Sequence, residues 1–144
     1  MRKIISFMHI SLDGFVAGPG GEMNWIKINE EIFDHVGKRI SKGDTSLYGR
    51  VTFQMMENYW PTAADKPNAT KHDIEHSKWY DKVNKVVLSK TLKDEDFTNT
   101  EIISDNLSDR INEIKKNGGE DILLFGSPTA THSLIQLNLI DGYW

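Results

Sequence analysis

The sequence predicts one α/β domain built around a mostly parallel central sheet. Strand-like apolar segments alternate with amphipathic helical segments along the chain, and most of the links between them are short. Three of the strand-like segments end at a Gly or Ser that is followed directly by a helix-starting signal, as in the βα turns of parallel sheets. A length of 144 residues suits a single domain with its own core, so we expect residues 1–144 to form one unit.

The first half of the chain predicts two strands and three helices. Its strand segments are rich in β-branched and large apolar residues, whereas its helical segments carry apolar residues every three or four positions. The predicted elements are a strand over 4–10, a glycine- and proline-rich loop over 11–21, a helix from the N-cap Asn29 to Gly43, a strand over 45–49, a helix over 51–59 that stops before Pro61, and a helix over 71–82 with Ile74 and Trp79 facing inward.

The second half repeats the same alternation. Its predicted elements are strands over 85–89 and 101–104, a helix capped by Asn106 and closed by Gly118-Gly119, a strand over 121–125, and a helix that has Ser127 as N-cap, Pro128 at its first position and Leu134, Ile135 and Leu137 facing inward. Residues 139–144 resemble the start of one more strand. A chain that stops there predicts either a longer natural protein or a sheet edge covered by a partner.

The composition excludes several functional classes. A net charge of −4 gives no general attraction for nucleic acid, so an anionic ligand must meet local cations. The chain has no cysteine, which excludes disulfides, thiolate catalysis and cysteine–zinc sites. No apolar run reaches the roughly 18–20 residues that a membrane span requires. We therefore expect a cytoplasmic protein that binds neither nucleic acid nor membranes.

Phosphate-binding chemistry is indicated at three of the predicted turns. Gly49-Arg50-Val51-Thr52 combines close backbone approach with a forked cation and a hydroxyl, and Ser89-Lys90-Thr91 offers two hydroxyls and an ammonium group. Gly126-Ser127-Pro128-Thr129 resembles a pyrophosphate-binding turn at a helix N-terminus. Each turn alone is equally compatible with an ordinary polar turn or a capped helix start. Together, at one edge of a parallel sheet, they predict a nucleotide crevice.

Two other segments carry candidate chemistry. The loop over 11–21 has the glycine content of a mobile lid, and its Asp13 suits either a site that closes over a reacting ring or an ordinary Asx-turn. His72-Asp73-Ile74-Glu75-His76 matches the H-x-x-E-H pattern of inverted zinc peptidases. Because its surroundings are highly polar and no third ligand is evident, we interpret the pair as surface histidines on a solvated helix and predict no metal site.

Taken in order, several segments resemble the dihydrofolate-reductase-like superfamily. They are Ile4 to Gly14, Trp25, Tyr48-Gly49-Arg50-Val51-Thr52-Phe53, Val87 to Leu92 and Leu124-Phe125-Gly126-Ser127. The nearest resemblance is to the branch typified by the C-terminal reductase domain of the bifunctional riboflavin-biosynthesis deaminase/reductase. It implies a three-layer α/β fold, NADPH as cofactor, hydride transfer to a small heterocycle, carbonyl or imine, and a homodimer.

The resemblance also implies roles for individual residues. Arg50, Thr52, Ser89, Lys90 and Thr91, with Gly49 beside them, would surround the adenosine phosphates; Gly126, Ser127, Thr129 and Ala130 would line the pyrophosphate; and Ala17 with its loop would cover the nicotinamide.

The sequence leaves the acid and the activity open. Asn29, Glu30 and Glu31 compete for the position of the family's acidic residue, and we name Asp13 and Glu30 as candidate proton donors. The resemblance also implies a further strand pair after Trp144, which we expect this chain to lack. The alternative function is a non-catalytic nucleotide- or metabolite-binding protein. The sequence does not distinguish a folate, a ribosylaminopyrimidine phosphate and an unrelated carbonyl compound as the substrate. A phosphorylated substrate would require additional cations, and no second cationic cluster is evident in the sequence.

Overall fold

The computed structural model describes residues 1–93 and 97–144. Strands and helices follow one another along these ranges. The strands are β1 (Ile4–Phe7), β2 (Gly43–Gly49), β3 (Asn84–Leu88), β4 (Thr100–Ile103), β5 (Asp121–Phe125) and β6 (Gly142–Tyr143). The helices are α1 (Glu30–Ile40), α2 (Arg50–Ala63), α3 (Lys71–Lys82), α4 (Leu107–Lys116) and α5 (Pro128–Gln136). Within those ranges, no helix combines the length and the apolar character that crossing a membrane requires.

The strands form one sheet in the order β4-β3-β2-β5-β1-β6, and every pairing between neighbours is parallel. This confirms the predicted α/β class. In the register, Gly49 lies beside Leu88, and Leu88 beside Ile103, so β2, β3 and β4 end at the same edge of the sheet. The two-residue β6 pairs with β1, which confirms that a short strand begins near the end of the sequence.

Apolar side chains cover both faces of the sheet, as expected for parallel strands. On β5, Ile122 and Leu124 point into one cluster, which α4 and α5 cover with residues such as Ile111 and Leu134. Leu123 and Phe125 point into the opposite cluster, which α1, α2 and α3 cover with residues including Ile40, Phe53 and Tyr80. The sheet therefore lies between two helical layers, which is the predicted three-layer arrangement.

Several predicted boundaries were wrong. β1 ends at Phe7 rather than at Ile10. α2 runs through Pro61 to Ala63, instead of stopping before the proline. Only two residues follow Pro61 in the helix, and the Ser77 hydroxyl on α3 donates to the Trp60 carbonyl at 2.7 Å, so the neighbouring helix supports this last turn.

Three side chains predicted to face inward do not. Ile135 and Leu137 near the end of α5 are 45% and 41% exposed, and Ile74 on α3 is 37% exposed. The buried face of α5 is narrower than the apolar pattern indicated, because, of Leu134, Ile135 and Leu137, only Leu134 lies in the hydrophobic core.

Candidate functional site

A polar cleft of about 900 Å³ lies at the edge of the sheet where β2, β3, β4 and β5 end. It is lined by residues 49–52, 88–91, 103–107, 127–130 and Ser133. The structure thus places every predicted cofactor-binding residue in this cleft except Ala17 and Gly126. Parallel strands bring their carboxyl ends to one edge, which is why turns far apart in sequence meet here.

Three helices begin at this cleft without a side-chain cap. The N-cap residues are Gly49 for α2, Asn106 for α4 and Ser127 for α5, and no N-cap side chain among them accepts a hydrogen bond from its helix. Asn106 and Ser127 have left-handed backbones, with φ of 46° and 52°, so the caps predicted for these residues were wrong. The cleft therefore faces three helix termini whose amides and positive dipole ends suit an anion.

The two helices that begin elsewhere are capped conventionally. Asn29 accepts a hydrogen bond from the Ile32 amide at 2.9 Å, as predicted for α1. Thr70 and Asp73 form a reciprocal capping box at the start of α3. Among the five helices of residues 1–93 and 97–144, the uncapped starts are thus those at the cleft.

Ser127 joins the ends of β2 and β5. Its hydroxyl donates to the Phe125 carbonyl and accepts from the Gly49 amide, both at 2.9 Å. The Gly126 amide donates to the Phe7 carbonyl at 2.9 Å. The amides of Gly49 and Gly126 are therefore occupied within the protein, and they fix the shape of the cleft instead of offering themselves to a phosphate.

The turn after β3 carries one of the two basic side chains of the cleft. The Ser89 hydroxyl accepts hydrogen bonds from the amides of Thr91 and Leu92, at 3.2 and 2.9 Å, and this turn holds Lys90 at the cleft. Lys90 and Arg50 are exposed, and neither forms an ion pair within the two described ranges. Asp105 also lines the cleft, which leaves one net positive charge from its side chains.

An apolar pocket of about 470 Å³ adjoins the polar cleft. Thr52, Ser127 and Pro128 line both spaces, so the two adjoin each other at the starts of α2 and α5. The remaining lining residues are Phe7, Met8, His9, Val16, Ala17, Gly21, Met23, Ile26, Ile28, Ile32, Phe33, Val36, Ile40, Tyr48, Met55, Met56, Trp60, His72, His76, Phe125 and Gly126. Ala17 and Gly126, absent from the cleft, thus lie in the adjoining pocket.

Neither predicted proton donor lines the cleft or the apolar pocket. Asp13 is exposed on the outer side of its loop, where its carboxylate accepts a hydrogen bond from the Ser11 hydroxyl at 2.6 Å. It lines another depression with Phe15 and Trp25, which shares only Ala17 with the described lining of the apolar pocket. Glu30 is exposed in the first turn of α1. The structure therefore does not bring either carboxylate to the predicted site, and their catalytic role remains a prediction.

Sequence reasoning missed the histidines of the apolar pocket. His72 stacks on Phe33 with ring centroids 3.9 Å apart, and His76 lies 3.9 Å from the Trp60 ring. Burial, with a smaller contribution from the charge of His72, lowers the pKa of His76 to about 3. The interpretation of these residues as solvated surface histidines was wrong. Their i,i+4 spacing was the available signal, because it places both rings on one face of α3.

That this histidine pair binds no metal stays a prediction. In the described part of the chain, no group of three or more His, Cys, Asp or Glu side chains is arranged to hold a metal ion. Both rings pack against aromatic neighbours. They therefore form part of an apolar wall.

Comparisons with known proteins agree with the predicted family. A model of the RibD C-terminal domain matches residues 2–144. The curated protein YyaP of Bacillus subtilis (strain 168), described as uncharacterized, is 34% identical over 145 residues, which cover 99% of this chain and 72% of YyaP.

Two solved structures share the fold. A putative riboflavin biosynthesis protein from Shewanella sp. PV-4 superposes with a TM-score of 0.68 at 18% identity, covering 97% of this chain and 73% of that one. A diaminohydroxyphosphoribosylaminopyrimidine deaminase/5-amino-6-(5-phosphoribosylamino)uracil reductase from Thermotoga maritima superposes with a TM-score of 0.57 at 13% identity, covering 94% and 42%.

Proposed function

The chain belongs to the RibD C-terminal domain family, and on that premise we propose that it is an NADPH-dependent reductase of a small organic substrate. The observation that carries the proposal is that two unlike spaces lie side by side. A polar cleft that faces three uncapped helix starts shares Thr52 and Ser127 with an apolar pocket. This arrangement suits a phosphorylated dinucleotide whose nicotinamide end reaches the mouth of a substrate pocket.

The cleft has the chemistry that the phosphates of NADPH require. The N-termini of α2, α4 and α5 would hold the pyrophosphate, since no N-cap side chain there competes for their amides. Arg50 and Lys90 would meet the 2′-phosphate, because they supply the cationic side chains of the described cleft lining. This division assigns the pyrophosphate to helix amides and the additional phosphate of NADPH to side chains.

The loop between β1 and α1 forms one wall of the substrate pocket. Its Val16, Ala17 and Met23 line the apolar space, and would cover the nicotinamide and exclude water. NADPH, when bound, supplies the hydride. The residues of this chain orient the cofactor and the substrate, which is most of what such a transfer requires of a protein. Water would complete protonation, since no carboxylate is in the pocket lining of the described residues and burial lowers the pKa of the histidines there.

Calorimetric titration of NADPH and NADH against wild-type and variant protein tests the proposal. Arg50→Ala and Lys90→Ala should each weaken NADPH binding by about 1–3 kcal/mol, the range for a charge-assisted hydrogen bond, and change NADH binding much less. Lys78→Ala, which removes an exposed lysine from α3 away from the cleft, is the matched control and should leave both affinities unchanged. Equal losses for the two cofactors would contradict the assignment of the 2′-phosphate.

The second candidate is a non-catalytic nucleotide- or metabolite-binding protein. It is favoured by one observation, that neither Asp13 nor Glu30 lines the pocket. Both functions predict NADPH binding, so the decisive measurement is cofactor oxidation with a panel of pterins, pyrimidinones and quinones. Binding without oxidation across that panel would favour the second candidate.

A further inference from the structure

Within residues 1–93 and 97–144, the side chains that line the apolar pocket include no lysine, arginine, aspartate or glutamate. The polar cleft differs in this respect, because Arg50, Lys90 and Asp105 line it. A charged ligand group that entered the pocket would lose its hydration without meeting a counter-ion.

The ionisable groups that do line the pocket are held neutral near pH 7. Burial lowers the pKa of His9 and of His72 below the usual value of 6.5, and lowers that of His76 to about 3. Burial also raises the pKa of Tyr48 well above 10. The pocket therefore provides no imidazolium to bind a phosphate.

Two lysines are next to lining residues in the sequence but do not line the pocket. Lys71, next to His72 on α3, lies 3.6 Å from the Asp34 carboxylate and 3.9 Å from that of Glu75. Lys27 lies between two lining residues in sequence, but it is exposed and does not line the pocket. A phosphate in the pocket would thus meet no cationic side chain among the described residues that line it.

Flat aromatic surfaces form one wall of the pocket. The rings of Phe33 and His72 are stacked at 3.9 Å with an angle of 11° between their planes, and Trp60 packs its edge on His72 and its ring near His76. Aromatic walls of this kind bind planar rings through offset stacking and edge contacts. At about 470 Å³, the space has the size of a small-molecule site.

We propose that the apolar pocket binds an uncharged planar aromatic substrate and excludes phosphorylated ones. The inference rests on the proposed function, because it names the substrate class of the same site. The name of the Thermotoga maritima protein includes a phosphoribosylamino compound. This chain would therefore differ from that relative in the substrate that it accepts.

A pair of probes that differ only in a phosphate tests the inference. 1-Naphthol and 1-naphthyl phosphate are titrated calorimetrically, without and with saturating NADP⁺, because the polar cleft offers the phosphate a second place to bind. With NADP⁺ present, naphthol should bind at least about tenfold more tightly, since the burial of an unpaired charge costs more than a tenfold change in affinity represents. Equal binding, tighter binding of the phosphate or no binding of naphthol would overturn the inference.

Two matched variants locate the effect. Met55→Lys places a cation on a pocket-lining position of α2 that is 47% exposed, and it should reduce or reverse the preference for naphthol. Ile135→Lys makes a comparable change at a position of α5 that is 45% exposed and away from the pocket, and it should leave the preference unchanged. The same response in both variants would overturn the assignment to this pocket.

The outcomes also separate the inference from the proposed function. If NADP⁺ fails to bind while naphthol still binds tightly in the Met55-dependent manner, the cofactor assignment fails and the pocket assignment stands. If NADP⁺ binds but naphthol shows no preference, the pocket assignment alone fails.

Discussion

Replacing Ser127 by alanine removes the side chain that joins β2 to β5 at the mouth of the cleft. The Ser127 hydroxyl makes two hydrogen bonds of 2.9 Å, and the residue is 7% exposed. At about 1 kcal/mol for each net hydrogen bond, Ser127→Ala should lower the free energy of unfolding by about 2 kcal/mol. For a chain near 150 residues, this corresponds to a fall in melting temperature of about 4–8 °C.

The backbone at Ser127 gives the prediction a second arm. Its φ of 52° lies in the left-handed region, where a side chain costs about 1–2 kcal/mol that glycine avoids. Ser127→Gly loses the same two hydrogen bonds but relieves this strain. It should therefore be more stable than Ser127→Ala by about 1 kcal/mol.

Urea denaturation followed by circular dichroism measures both differences. Ser41→Ala is the control, because it removes an exposed hydroxyl that donates to the Lys38 carbonyl at 3.1 Å and should change stability by less than about 0.5 kcal/mol. The reasoning is refuted if Ser127→Ala unfolds within that same margin of wild type. It is also refuted if the glycine variant is the less stable of the two.

Four further substitutions test separate parts of the structure. Because burial lowers the pKa of His76 from 6.5 to about 3, the unfolded chain binds a proton at a higher pH than the folded protein does. The wild type should therefore lose up to about 1.4 kcal/mol of stability per pH unit as the pH falls between these two values. His76→Phe should remove this loss, which urea titrations at several pH values measure. Asp141→Asn should cost about 2 kcal/mol at pH 7, because it leaves the 5%-exposed Lys115 without the carboxylate 2.6 Å away. Burial would raise the pKa of Asp141, but the hydrogen bonds from Lys115 and the backbone outweigh burial and lower it. The stability cost of Asp141→Asn should therefore be present above about pH 3.8 and disappear as the pH falls through the lowered pKa of Asp141. A difference in stability that persisted at lower pH would contradict the assignment. Gly43→Ala should destabilise the protein by about 1–3 kcal/mol, because the new Cβ would lie 2.6 Å from the buried Leu123 side chain. Gly37→Ala in α1 has open space around the new Cβ and should stabilise the protein by about 0.5–1 kcal/mol. Thermal melts compare the two variants.

The sequence pattern predicted the architecture well, because the alternation of apolar runs is imposed by burial on both faces of a parallel sheet. The strand predicted over residues 121–125 has the same bounds as the observed β5, and its residues 122–125 point alternately into the two apolar clusters. The prediction was wrong where local propensity and tertiary packing disagree. Pro61 is a strong stop signal by itself, yet α2 continues past it against α3.

The two parts of the site differed in how much of their geometry the sequence indicated. The cleft could be predicted because the topology of parallel strands alone gathers their terminal turns at one edge. The pocket could not, because its walls come from α1, α2, α3 and a loop whose relative placement no local pattern encodes. His72 and His76 illustrate this, since their segment is polar in sequence while Trp60 on another helix covers one of their rings.

The departures from local rules at the cleft follow a common pattern that bears on function. Asn106 and Ser127 are residue types that favour helix caps, and both stand at N-cap positions, yet their left-handed backbones turn their side chains away from the helix. Asparagine tolerates this conformation, so its presence at 106 follows from the backbone alone. Serine gains no such tolerance, and its presence at 127 follows instead from the two hydrogen bonds that join β2 to β5. A hydroxyl that could have capped α5 thus fixes the cleft wall and leaves the helix amides to a ligand. Local rules that hold at α1 and α3 but break at the helices of one cleft are what a binding site is expected to produce.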